Sequence, residues 1–255
     1  EYMRKTEIPS PGGYMIPLDA DIRGGEKLAC IISHGFASSR KSTTARMMMA
    51  HCRSMGMASV AFDWVCHGDS RAHYSRLTVE ACLDDLVAVE RWIRLQLPDA
   101  EIVYFGSSFG AYLDICHICS GRSLGRRAFL RSAAVDMDVS FGVKTPEVMA
   151  GIERDGYYKY DPGFGDGLKL CESFFDSLAA RSAFNADLPG DARLFMVHGT
   201  CDEEVSPGSA RRYAYEKGVP LVLVPGAGHG IETPEGLRDI KAFTRAFYLA
   251  PQEEI

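Results

Sequence analysis

The 255-residue sequence predicts an α/β protein with a mostly parallel central sheet flanked by helices. Three observations carry that expectation. After residue 28, apolar runs of strand length alternate with stretches whose apolar residues recur at helical spacing. Hydrophobic residues make up 46% of the chain, enough for one large core, and α/β chains of this length commonly form one domain, so residues 1–255 are expected to fold as one unit. The loops leaving several strand runs hold serine, aspartate and histidine, and in an open parallel sheet such loops gather at one edge.

The elements follow in order. Residues 2–19 read as an N-terminal strand or hairpin at an edge, because the alternation begins only after it. Leu28-Ala-Cys-Ile-Ile32 is a strand-length run that empties into Ser33-His34-Gly35-Phe36. Residues 78–97 form a helix: Thr78 caps the start, Cys82, Leu83, Leu86, Val89, Ile93 and Leu97 recur at helical spacing, and Pro98 stops it. Glu101-Ile-Val-Tyr-Phe105 is a strand, residues 111–119 a helix, and Ala128-Phe-Leu-Arg-Ser132 a strand. Between 137 and 189 the alternation breaks. Gly151, Gly156, Gly163, Gly165 and Gly167 stand there among Tyr157, Tyr158, Tyr160 and Phe164, and an amphipathic stretch follows over 168–178, which marks a small lid insertion within the domain. The alternation resumes with Arg193-Leu-Phe-Met-Val197 and Pro220-Leu-Val-Leu-Val224.

Gly106-Ser107-Ser108-Phe109-Gly110 lies between a strand and a helix, the setting in which a sharp turn pushes a serine hydroxyl out of the sheet. Glycines on both sides let the backbone turn without a Cβ clash. The same spacing recurs in Gly121-Arg-Ser123-Leu-Gly125, but there a helix precedes and a strand follows, so Ser123 is expected to be a loop residue. A serine attacks at neutral pH only with a base, an orienting acid and donors for the oxyanion. His229 lies in the glycine-rich loop after the last strand, and Asp202 in the loop after the strand before it. Asp136 and Asp138, in the loop after the earlier strand, are alternative acids. The backbone N–H groups of Phe36 and Phe109 are the expected oxyanion donors, the second aided by the helix dipole.

The other histidines and the cysteines carry less. His34, His67 and His198 are expected to fasten loops by hydrogen bonds, and His51, His73 and His117 have no assigned role. Cysteines at 30, 52, 66, 82, 116, 119, 171 and 201 are scattered through predicted strands and helices, which fits reduced thiols of a cytoplasmic protein and not a disulfide framework. Cys116-His117-Ile118-Cys119 reads as one buried helix face, and without a second Cys/His pair at ligand spacing no metal is expected. The net charge is -6 and the basic residues are dispersed, apart from Arg122, Arg126, Arg127 and Arg131, so nucleic acid is not an expected partner. No apolar run approaches the length of a membrane span, and Glu1-Tyr-Met-Arg-Lys-Thr-Glu7 lacks the apolar region of a secretory signal.

His34-Gly-Phe36, Phe62-Asp-Trp-Val-Cys-His67-Gly-Asp-Ser70, Gly106-Ser-Ser108-Phe-Gly110, Gly199-Thr-Cys-Asp202 and Gly228-His229 together resemble the α/β-hydrolase superfamily. Within it, the chain is similar to the small serine esterases related to bacterial cinnamoyl (feruloyl) esterases, over residues 28–248. Ser108, Asp202 and His229 follow the chain order of that fold's triad, with similar spacing. The resemblance implies an α/β-hydrolase fold with a lid, and a serine carboxylesterase that hydrolyses short-chain or aromatic, hydroxycinnamoyl-type esters through an acyl-enzyme intermediate. It implies no cofactor, a small-molecule ester as partner, and leaves a homodimer open. Phe109 stands where many of these esterases carry glutamine, and Asp63-Trp-Val-Cys-His67 replaces a more usual Asp-x-x-Gly-His. The expected pocket wall is Trp64, past a neighbouring strand end, with the insertion's Tyr157, Tyr158, Tyr160 and Phe164. The same triad serves a serine peptidase or an acylglycerol lipase, and a non-catalytic binding protein is the alternative of a different class.

Overall fold

The computed structural model describes residues 3–163, 165 and 167–250, so Phe164 lies outside the described residues. The chain runs β1 (Met3–Pro9), β2 (Met15–Asp21), β3 (Leu28–Ser33), α1 (Thr43–Ser54), β4 (Ala58–Phe62), α2 (Val79–Gln96), β5 (Glu101–Ser107), α3 (Phe109–Cys119) and β6 (Arg127–Arg131). It continues with α4 (Met137–Ser140), α5 (Pro146–Asp155), β7 (Tyr158–Tyr160), β8 (Leu168–Leu170), α6 (Glu172–Ala179), β9 (Arg193–Gly199), α7 (Pro207–Lys217), β10 (Leu221–Val224) and α8 (Pro234–Leu249).

Eight strands form one sheet in the order β1-β2-β4-β3-β5-β6-β9-β10. The β1–β2 hairpin is antiparallel at one edge, with Met3 opposite Asp21, and β2 runs antiparallel to β4. From β4 to β10 every neighbouring pair is parallel. The hairpin was expected over 2–19 and extends to Asp21, because Asp19 and Asp21 continue the register onto Ala61 and Ser59 of β4.

The strand order reverses between β3 and β5. From β3 the chain passes to β4 on one side, then crosses back to β5 on the other. Loops leaving adjacent strands at such a point diverge and open a crevice at the carboxyl ends. Here those loops begin at His34 and Ser108. One face of the sheet buries Cys30, Ile32, Phe105 and Phe129 with residues of α1 and α8. The other buries Ile31, Tyr104 and Leu130 with α2, α3 and α7. Thr78 caps α2 as expected, its side chain accepting the Ala81 N–H at 3.1 Å, and the helix ends at Gln96.

Residues 137–189 leave the sheet and fold as α4, α5, a separate β7–β8 hairpin and α6. The amphipathic stretch at 168–178 divides. Leu168-Lys-Leu170 alternates with period two and pairs with Tyr158–Tyr160, burying Leu170 and exposing Lys169, and the helix starts only at Glu172.

Asp85 on α2 ties down the edge hairpin, accepting from Ser10 Oγ at 2.5 Å and Tyr14 OH at 2.9 Å. Burial pushes its pKa up to about 7, against the pull of those two hydrogen bonds. The folded chain therefore keeps this proton over a range in which the unfolded chain, with an ordinary aspartate near 4, has lost it. Stability is thus highest below about pH 4 as far as this group is concerned, and its contribution falls as pH rises toward 7. Thermal melts from pH 5 to pH 8 are expected to show a decline that is flatter in Asp85→Asn, and parallel profiles would contradict this.

Candidate active site

Ser108 is the residue between β5 and α3, with φ 53° and ψ -116°. A non-glycine residue in that region carries roughly 1–3 kcal/mol of strain, which the surroundings must hold. They do so on both sides. A Cβ at Gly106 would stand 2.5 Å from the Ala111 Cα, and one at Gly110 would stand 2.6 Å from the His34 carbonyl oxygen, so only glycine lets α3 pack this close to β3 and β5. The Ser108 N–H donates to the Arg131 carbonyl at 2.9 Å, and its carbonyl accepts from the Ala134 N–H at 3.2 Å.

His229 Nδ1 lies 2.8 Å from Asp202 Oδ2. The other Asp202 oxygen accepts the backbone N–H groups of Glu204 and Val205, each at 2.9 Å. His198 Nε2 is 3.0 Å from Asp202 Oδ2, so one carboxylate oxygen sits between two imidazoles. Burial alone would raise the Asp202 pKa, but hydrogen bonds from His198, His229 and the Val205 N–H outweigh it and hold the carboxyl well below the ordinary carboxylate range. Asp136 is engaged elsewhere, accepting from Ser209 Oγ at 2.6 Å. The His229 loop is fastened to the end of β6: Ser132 Oγ donates to the His229 carbonyl at 2.7 Å, and Arg131 Nη1 to the Gly230 carbonyl.

Ser108, His229, Phe36 and Phe109 line one cavity of about 560 Å³. Among the described residues, neither the Phe36 nor the Phe109 N–H has a hydrogen-bond acceptor. A Cβ built on Gly35 would lie 3.4 Å from the Ser108 Cβ, which puts the loop after β3 directly against the serine. That loop is held from below. The Trp64 indole N–H donates to the His34 carbonyl at 2.9 Å and its backbone N–H to His34 Nε2 at 3.2 Å, while His34 Nδ1 donates to the Gly35 carbonyl at 2.7 Å. Burial pushes the pKa of His34 down to about 4 and that of His67 down to about 3, so both rings are neutral at pH 7. His67 Nδ1 donates to the Val65 carbonyl, as expected of a loop fastener.

The cavity lining is of two kinds. In the aromatic half of the lining Phe36 meets the rings of Phe109, Phe141 and Tyr160 at 5.2, 5.2 and 5.3 Å and stacks on Phe174 at 5.4 Å. The polar half of the lining includes Ser33, Ser107, Thr44, Arg131 and Gly230. Of the expected wall residues, the structure brings Tyr160 to the cavity. Trp64 is fully buried beneath the loop after β3, edge-on to Phe62 at 4.4 Å, so the strand end delivers its ring into the core and not onto the wall. Tyr157 packs on Tyr74 at 5.2 Å under the Lys169 ammonium, and Tyr158 packs against the core; neither lines the cavity. Tyr158 and Tyr160 share one face of the hairpin by strand alternation, and of the two only Tyr160 lines the cavity.

Sequence reading did not single out Phe141, Arg131 or Ser132 for the site. For Arg131 a signal was present: a cation directly after the apolar run Ala128-Phe-Leu130, at the edge where the loops gather. Asp114 was also missed. It is fully buried on α3, where burial raises its pKa, and it accepts from Ser33 Oγ at 2.7 Å, so it ties the helix after Ser108 to the end of β3.

A model of the alpha/beta hydrolase family matches residues 31–240. Among solved structures, a protein from Agrobacterium vitis S4 superposes with TM-score 0.83 at 17% identity, covering 97% of this chain and 99% of that one. Est1E from Butyrivibrio proteoclasticus, solved with ferulic acid bound, gives TM-score 0.78 at 20% identity over 95% of this chain and 98% of its own. A Pyrococcus furiosus esterase gives 0.72 at 18% identity, with 96% and 90% coverage. No curated protein sequence matches the chain.

Proposed function

The chain belongs to the alpha/beta hydrolase family, and on that premise we propose that it is a serine carboxylesterase acting on short-chain or aromatic esters through an acyl-enzyme intermediate. The observation that carries the proposal is the 2.8 Å pair of His229 Nδ1 and Asp202 Oδ2, with His229 lining the same cavity as the strained Ser108. In this reading His229 takes the Ser108 proton as the hydroxyl attacks the ester carbonyl. Asp202 holds the ring with Nδ1 as donor and stabilises the imidazolium that forms. The Phe36 and Phe109 N–H groups receive the oxyanion, and a water activated by His229 releases the acid.

Residues 137–189 act as a lid in this reading. They supply Met137, Phe141 and Tyr160 to the cavity and bury Phe174 against Phe36. The aromatic half suits a flat acyl group, because rings bury a large area and meet one another edge-on. Est1E with ferulic acid bound shares the fold and supports that choice of substrate. The test is a panel of methyl ferulate, p-nitrophenyl butyrate, p-nitrophenyl laurate and aminoacyl p-nitroanilides. Higher kcat/KM for ferulate or butyrate than for laurate is expected, with anilides barely cleaved. Laurate as best substrate would indicate a lipase, and fast anilide cleavage a peptidase.

A further inference from the structure

Arg131 is an unusual lining for an ester site. It is only 8% exposed, and among the described residues no carboxylate lies within ion-pair distance of it. Its one side-chain hydrogen bond among those residues goes from Nη1 to the Gly230 carbonyl, and its Nε–H has no partner there. A buried cation without a counter-charge costs several kcal/mol, roughly, unless something compensates it. The protein's own acids do this only at a distance. Asp202 is committed to two histidines, and Glu204 and Glu232 are exposed at the cavity rim, where solvent screens them.

Further polar features line the same cavity. Ser107, 4% exposed, lines the cavity, and among the described residues its hydroxyl has no partner. Thr43 and Thr44, the first residues of α1, also line it, and their amides have no intrahelical acceptor. The Ser42 side chain caps Ala45 at 3.2 Å and leaves those two amides free for another acceptor. A buried guanidinium, a free hydroxyl and a helix N-terminus lining one cavity are the elements of an anion site.

We propose that the polar half of the cavity binds a carboxylate carried by the substrate's leaving group. This rests on the esterase reading. His229 must reach the leaving oxygen to protonate it, so the leaving group lies on the His229 side, and Arg131 is bonded to the residue that follows His229. The acidic rim of Glu204 and Glu232 favours a singly charged carboxylate over a dianionic phosphate. The substrate class is therefore an ester of a hydroxy acid, with a flat or short acyl group in the aromatic half and the acid's carboxylate on Arg131.

The test compares 4-acetoxybenzoate with 4-acetoxybenzamide, which differ only in that charge. Wild type is expected to prefer the carboxylate by about tenfold or more in kcat/KM, the worth of one charged hydrogen bond. Arg131→Gln should bring the ratio to about one, and Arg131→Lys should restore part of it. Benzoate binding, followed by titration calorimetry on wild type and Arg131→Gln, gives a reading that needs no turnover; it should be lost in the variant, and thermal melts check that the variant is folded. A ratio near one in wild type while p-nitrophenyl acetate hydrolysis still depends on Ser108 overturns the carboxylate site and leaves the esterase reading standing. Loss of Ser108 dependence overturns the esterase reading itself, and equal benzoate binding by wild type and variant overturns the site independently.

Discussion

Ser108→Ala is expected to lower kcat for p-nitrophenyl acetate by about 10⁴-fold or more, leaving the residual rate that binding and oxyanion donors sustain. The size follows from the geometry. Ser108 alone is held at φ 53° between β5 and α3, in the cavity that His229 lines, and a residual alanine has nothing for that base to activate. Ser123, which shares the glycine spacing, is 5% exposed in the turn before β6 and accepts the Arg126 guanidinium at 2.6 Å. Ser123→Ala should therefore keep near wild-type kcat and lose about 1 kcal/mol of stability at most. Labelling with a fluorophosphonate, followed by peptide mapping, checks the assignment independently. An adduct on another serine would sink it.

Asp202→Asn should cost about 10⁴-fold in kcat with the fold retained. One Asp202 oxygen accepts two backbone N–H groups, and the other faces both His198 and His229. An amide nitrogen turned toward the histidines would repel the Nδ1–H tautomer that catalysis needs. Turned the other way, it would face two backbone donors. Asp136→Asn should change kcat by less than about threefold, since Asp136 answers Ser209 and not His229. The decisive comparison is the two kcat values on one ester, with circular dichroism to confirm folding; a large loss at Asp136 would move the acid to the earlier loop.

Much of this architecture was legible because strand and helix periods differ and glycine marks close approach. The runs at Leu28, Glu101, Arg193 and Pro220 became β3, β5, β9 and β10 in the expected parallel order, and the loops they feed carry Phe36, Ser108, Asp202 and His229. Direction was harder to read than position. Trp64 does follow β4, but its ring turns into the core to meet the His34 carbonyl, and nothing in the local pattern says which way a residue in an irregular loop points. Tyr157 and Tyr158 could not be told from Tyr160, because the strand that holds Tyr158 and Tyr160 is only three residues long. Arg131 was hidden for another reason. A cation near other arginines reads as a solvated face, and only the packed structure shows that Arg127 pairs with Glu101 while Arg131 lies buried, with no partner carboxylate among the described residues.

The end of β6 holds Ser108 by its backbone N–H and carbonyl and holds the His229 loop through Ser132 and Arg131. The proposed nucleophile and base are thus mounted on a single short support that belongs to the sheet. Residues 137–189 begin just beyond it and return at β9, touching the site through ring contacts such as Phe141 and Phe174 on Phe36. On the proposed reading the insertion is an interchangeable cassette: its rings, and with them the acyl preference, could be rewritten by design while the spacing of Ser108 and His229 stays as the sheet sets it.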